Sequence, residues 1–275
     1  MRDHRPPLHL INGPFEVNLV LSLAFPISLV TPLEKMFSPT RNRWSKWAEL
    51  TKLDIEAVPL RDPIPAGSKH FIEVDGGLHF VGIRSLLRLD SEPLILSIDP
   101  SEDLSRLLDQ LRLGLIVSTL VTLIRRGLGV IMHASASAID DRGMAFAGAS
   151  GVGKSTLATR LGAVSRLSDD LTILLRTPMS GWIVGGLRGW QADPLPLHTL
   201  FFLGRGEATT VGPHLPVGQA MRRTIRNTVW YPGCPTLDES ILDLLHKFVA
   251  EIPCRELQVS LNDLSQAPFR QAALR

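Results

Sequence analysis

The sequence predicts an α/β fold, strand-rich over its first hundred residues and alternating strands with helices thereafter. Three observations predict it. Short apolar runs broken by Pro32, Pro39, Pro59, Pro63 and Pro65 fill the amino-terminal part. Periodic leucines begin just after Pro100, and from Val130 strand-like and helix-like segments follow one another in turn. At 275 residues the chain can hold one large or two modest domains, each with a proper hydrophobic core. We divide it into a strand-rich region over 1–100, a candidate for substrate recognition, and a second domain over 101–275.

In the amino-terminal region, Val17 to Val30 is rich in β-formers with Pro26 in its middle and reads as one or two strands. His70 to Ile83 alternates like a hairpin around Gly76-Gly77. Ser101, followed by Glu102 and Asp103, combines a capping side chain with acids favoured at a helix start. Leu104, Leu107, Leu108 and Leu111 then describe a helix face. Leu113 to Ile124 reads as a buried helix closed by Arg125-Arg126-Gly127.

Val130 to Ile139 and Met144 to Ala147 read as strands on either side of the polar turn Asp140-Asp141-Arg142-Gly143. A glycine-rich loop follows, then a helix with Leu157 and Leu161 on one face and Gly162 as its stop. Further on, Leu171 to Leu175 and Thr199 to Leu203 read as buried strands, and Gln219 to Val229 and Glu239 to Ala250 as helices. Thr236 and Glu239 have capping-box spacing. The sequence contains no internal repeat and no low-complexity tract.

Composition excludes several classes. With 29 basic and 27 acidic residues and a formal charge of +2, the chain lacks the single-sign field of a nucleic-acid binder. The pairs Arg125-Arg126 and Arg222-Arg223 read as solvated helix faces. Cys234 and Cys254 make neither a disulfide framework nor a zinc spacing, which fits a reducing, cytoplasmic setting. Val17–Val30 and Leu113–Ile124 both fall short of the roughly 20 residues of a membrane span. The first apolar run also starts late for a signal peptide. Histidines other than His133 show no metal-ligand spacing.

The chemistry concentrates in Gly148, Ala149, Ser150, Gly151, Val152, Gly153, Lys154 and Ser155, which match GxxxxGK[ST] in full between an expected strand and an expected helix, with Thr156 next. Glycines let such a backbone curl so that successive N–H groups face phosphate oxygens, and the helix start adds positive potential. Lys154 would neutralise terminal phosphates and the Ser155 hydroxyl would ligate Mg²⁺, so ATP and Mg²⁺ are the expected ligands. Downstream, Asp169-Asp170 stands at the entry of the strand beginning at Leu171. Two adjacent acids can divide labour, one near a metal and one accepting a proton from an attacking hydroxyl; a solvated turn is the plainer reading. His133 sits among small alternating residues that suggest close packing or close approach of a ligand.

This ordered set resembles the carboxy-terminal catalytic domain of HPr serine kinase/phosphorylase, whose core architecture extends to phosphoenolpyruvate carboxykinases. That family has a histidine fifteen positions before the first loop glycine, as His133 precedes Gly148, and an Asp-Asp pair after the loop helix, as Asp169-Asp170 here. The resemblance covers about residues 130 to 175. It implies Asp169 as the base, His133 beside the transferring phosphate, Lys154 as phosphate ligand, and Ser155 and Asp170 at the metal. The family's Glu-Val-Arg-Gly-Leu-Gly signature is replaced by a segment running from Gly185 to Asp193. There Asp193 would stand for its second metal-binding acid and Arg188 for a phosphate contact. Shorter relatives phosphorylate a serine of a ribosomal precursor peptide, as in lasso-peptide pathways, or free serine.

The resulting expectation is an ATP-dependent kinase acting on a peptide or protein serine, with a small hydroxyl metabolite as the other acceptor class and no nucleic-acid or membrane partner. A nucleotide-dependent regulatory ATPase and a carboxykinase-like enzyme are the competing readings. Oligomeric state stays open: relatives often self-associate, and the 113–124 helix offers a surface, with burial in its own domain the simpler explanation.

Overall fold

Two mixed β-sheets and five α-helices make up the computed structural model over its described residues, which are 5–12, 14–37, 44, 51–60, 70–74, 77–82, 85–161, 166–187 and 192–260. They form two compact units. One draws on residues up to Thr122 together with Trp230–Asp238; the other draws on Leu123–Val229 and on residues from Glu239 onward.

The first unit carries strands β1 (Leu8–Asn12), β2 (Phe15–Leu21), β3 (Thr51–Pro59), β4 (Phe71–Val74), β5 (Gly77–Val81), β6 (Ser85–Arg88) and β7 (Leu94–Ile98), in the order β1-β2-β3-β7-β6-β5-β4. β2, β3 and β7 run parallel at the centre, and the flanking pairs are antiparallel. In β2 every second residue is buried, Phe15, Val17, Leu19 and Leu21, as a strand with one face on a core requires. Of the one or two strands expected between Val17 and Val30, one forms, and it ends at Leu21. A 3₁₀ turn starts after Pro26, and helix α1 (Val30–Phe37) follows. The hairpin expected near Gly77 forms, with Val74 opposite Gly77.

The leucine face and the apolar run that follows are one helix, α2 (Leu104–Arg125), 22 residues long. It is therefore long and apolar enough to cross a membrane by length and composition, and 67% of its most apolar window is buried inside the protein. From Gly114 to Val121 it is buried on all sides, as a core helix is. At Gly114 it lies close on β7, where a Cβ would come within 2.5 Å of Leu96 Cδ2. Its end uses the glycine as expected. Gly127 has φ +64°, its N–H donates to Ile124 O, and Leu128 N–H donates to Leu123 O, so two otherwise orphaned carbonyls are satisfied.

The second unit contains β8 (Gly129–Ile139), β9 (Arg142–Ala147), α3 (Lys154–Arg160), β10 (Arg166–Ser168), β11 (Leu171–Thr177), β12 (Gly181–Gly186), β13 (Leu195–Arg205), β14 (Thr210–His214), α4 (Val217–Asn227), most of α5 (Pro235–Glu251) and β15 (Cys254–Val259). The sheet order is β10-β8-β11-β12-β13-β15-β14, and β9 pairs with both β8 and β13, so the pairing closes into a ring. β9 and β15 flank β13 in parallel; the other pairs are antiparallel. Met144, Phe146, Phe201 and Leu257 from three neighbouring strands bury Leu157 and Leu161, which fixes α3 to the sheet. Burying one such leucine contributes about 1.5–3 kcal/mol. Gly162, expected to stop α3, lies outside the described residues.

Two local expectations change. α5 starts at Pro235, a favoured first helical position, and the acid reaching back is Asp238, which accepts from Gly233 N–H at 3.1 Å and Trp230 Nε1 at 2.9 Å. Arg223, expected to be solvated, pairs with Glu256 and lies 5.8 Å from the Phe202 ring centre.

Candidate functional site

Strand β8 organises the site because it carries β9 along one edge and β10 followed by β11 along the other. Its second half, Ala134–Ile139, pairs with β9, and its first half, Gly129–His133, pairs with β11. His133 lies at the fork. On one side it is opposite Leu171, and the next residue, Ala134, donates its N–H to Asp170 O at 3.0 Å. On the other side the β9 ladder ends at the pair Ala134–Ala147, and Gly148 is the next residue after it. The glycine loop and the Asp169-Asp170 pair therefore leave the sheet on either side of one histidine.

The small residues of β8 serve helix packing. Ser135 Oγ donates to Lys154 O at 3.1 Å and Ser137 Oγ to Ala158 O at 3.4 Å. Two strand residues advance about as far as four helix residues, so serines at i and i+2 meet carbonyls at i and i+4. His133 precedes Ser135 by two and so belongs to the same face of β8.

Within the loop, Gly151 and Gly153 have φ +76° and +105°, a region that favours glycine. At Gly148 a Cβ would stand 3.2 Å from Leu203 O, and its N–H donates to Asn227 Oδ1 at 3.0 Å. Ala149, Ser150 and Gly151 are exposed, Val152 and Gly153 are half-buried, and Ser155 and Thr156 are exposed on the first turn of α3. Lys154 is buried, and its Nζ donates to Gly148 O at 2.9 Å and Ala149 O at 3.2 Å. Burial pushes its pKa down, while the nearby Asp170 charge pulls the other way.

The two acids have different surroundings. Asp170 Oδ1 lies 3.0 Å from His133 Nδ1. Asp169 Oδ2 is 3.6 Å from Arg166 Nη1. Its Oδ1 is buried and accepts no hydrogen bond among the described residues. A buried acceptor without a partner is uncommon and costs about 1–3 kcal/mol.

No protein-family model matches the chain, and no curated protein matches it.

Asp193 is exposed just before β13. Two residues on, Leu195 pairs with Val184 of β12, the strand next to β11. Arg188 lies outside the described residues. Among the described residues no three His, Cys, Asp or Glu side chains gather to hold a metal by themselves. Mg²⁺ does not need such a cage, since it binds through one or two carboxylates plus substrate phosphates.

Two contacts escaped the sequence reading. Asn227, at the end of α4, caps Gly148, and Arg205, at the end of β13, donates from Nη2 to Gly151 O at 3.0 Å. They lie 79 and 54 positions from their partners. No local spacing announces either.

Proposed function

We propose that this protein is a cytoplasmic, Mg²⁺- and ATP-dependent kinase with a P-loop core of the HPr kinase and carboxykinase type, transferring phosphate to a serine hydroxyl of a peptide or small protein. The observation that carries the reading is the unpartnered, buried Oδ1 of Asp169 at the same fork of β8 as Lys154 and its glycine loop. The acceptor class rests on the resemblance to HPr kinase relatives.

The residues fit the ligands. Gly148, Ala149, Ser150, Gly151, Val152 and Gly153 form a loop in which the space beside Gly151 is open, and Lys154 holds an ammonium against loop carbonyls that phosphate oxygens would displace. Ser155 and Asp170 would hold Mg²⁺ with Asp193 as the second acid, and Thr156 would add a hydroxyl to the phosphate side. The nucleotide supplies the phosphoryl group: its γ-phosphorus bonds to the acceptor oxygen as the bond to the bridging oxygen breaks, releasing ADP. Asp169 Oδ1 takes the acceptor's proton, and Arg166 steadies the other carboxylate oxygen. Asp170, 3.0 Å from His133 Nδ1, would orient the imidazole, and Nε2 would be the nitrogen presented to the transferring phosphate.

The test is incubation with γ-labelled ATP and Mg²⁺ alongside serine-containing peptides, free serine, or no acceptor, with Lys154→Ala as control. Label on peptide, absent from the control, is expected. Label on free serine alone would move the acceptor to small metabolites. Release as free phosphate at the same rate under every condition would mean a regulatory ATPase and overturn the kinase reading.

A further inference from the structure

The cations nearest the acids are each matched by a negative charge. Lys154 feels Asp170, and Arg166 faces Asp169 at 3.6 Å. A nucleoside triphosphate carries several negative charges, so a site made only of these matched groups is short of positive charge for it.

Arg205 is placed to supply that charge. β13 runs parallel to β9 with Phe202 opposite Ala147, so the residues after Phe202 pass the start of the glycine loop, and Leu203 O limits Gly148 directly. The backbone of Arg205 is fixed from the other side by pairing with Val259, and a Cβ at Gly204 would come within 2.8 Å of Gln258 Oε1. The strand end is therefore held on both flanks. From it the exposed Arg205 side chain reaches the loop through one hydrogen bond, Nη2 to Gly151 O. A guanidinium has five N–H donors, and among the described residues Arg205 has no carboxylate partner. A charged fork tethered to the loop with most of its donors uncommitted is suited to phosphate oxygens.

We propose that Arg205 is a second phosphate-binding cation of this site, contacting the terminal phosphates of a nucleoside triphosphate beside Lys154. The inference rests on the glycine loop being a nucleotide site. The competing role is structural, with Arg205 only pinning the Gly151 carbonyl.

Calorimetric titration of Mg-ATP and Mg-ADP into the unaltered protein, Lys154→Ala, Arg205→Gln and Arg205→Lys separates the possibilities. Glutamine keeps a donor for Gly151 O and loses the charge. Arg205→Gln is expected to weaken ATP about ten- to a hundredfold and ADP much less, with Arg205→Lys recovering part of the loss. The ATP affinity of Arg205→Gln should also depend less steeply on salt than that of the parent. If Arg205→Gln binds both nucleotides like the parent while Lys154→Ala binds neither, the role of Arg205 is refuted and the nucleotide site stands. Equal weakening of ATP and ADP with unchanged salt dependence would make Arg205 a loop staple and also refute the proposal. An unaltered protein that binds neither nucleotide would refute the nucleotide site itself, and this inference with it.

Discussion

Ala134 and Ala147 form the last ladder pair of the β8–β9 hairpin, and His133 and Gly148 are the next residues outward on its two arms. Their fifteen-residue spacing is the register of a hairpin whose turn is only Asp140 and Asp141, both with positive φ, 49° and 58°. Two such residues in succession make the turn whose twist matches the flanking strands. The spacing thus has a mechanical meaning, since a one-residue change in the turn would shift every later residue against β8 and move His133 from the loop.

Because Asp141 occupies a conformation that glycine adopts without strain, Asp141→Gly should stabilise the protein by about 0.5 kcal/mol. A urea midpoint shifted upward with unchanged slope is the expected result. A downward shift would show that the Asp141 side chain contributes more than its backbone costs.

Asp169→Asn keeps the shape of the side chain and removes its capacity as a base. Phosphate transfer should fall by about 10² to 10⁴, with nucleotide affinity changed little. Single-turnover transfer and an equilibrium titration measure the two separately, and transfer at the parental rate would exclude Asp169 as the base.

Asn227→Ala removes the acceptor for the Gly148 N–H and with it the restraint at the start of the loop. An amide left without its partner costs about 1–3 kcal/mol, so ATP affinity should fall about tenfold while the hairpin beneath stays folded. Asn227→Asp, which keeps an acceptor in place, should retain more affinity than the alanine variant. Equal loss in both variants would argue that the amide's donor side, to Arg223 O, is what matters.

Burial of Lys154 lowers its pKa in the folded state below the ordinary 10.5, despite the opposing charge of Asp170. Between those two values the unfolded chain binds the proton and the folded state does not, so folding becomes more favourable as pH rises through that window. The melting temperature of the parent should therefore gain on that of Lys154→Met as pH climbs toward 10.5, and the difference should be flat below the folded value. A difference independent of pH up to 10.5 would mean that the ammonium is not desolvated.

The hairpin, the glycine loop and α3 were legible because each is specified within a few residues. The alternation of β8, the turn pair at Asp140 and the glycines at 148, 151 and 153 act through local hydrogen bonds and backbone sterics. β12 and β15 were missed for the opposite reason. Gly181–Gly186 holds three apolar residues among glycines, and Cys254–Val259 is short and mixed, so neither carries a strong period of its own. Both are strands because neighbours on each side pair with them. α2 was seen as two segments because its polar residues cluster near the amino-terminal end, while the continuous helix is set by burial of its second half.

By itself the sequence determined that a histidine strand, a glycine-rich loop, a short helix and an acid pair follow in order, since these are local patterns of sterics and hydrogen bonding. Only the tertiary structure decided that β8 forks between β9 and β11, bringing His133, Lys154, Asp169 and Asp170 to one place. It also decided that Arg205 and Asn227 meet the loop from far along the chain. Those neighbours are chosen by how whole sheet and helix faces bury one another, a free energy summed over many residues that no short stretch of sequence displays.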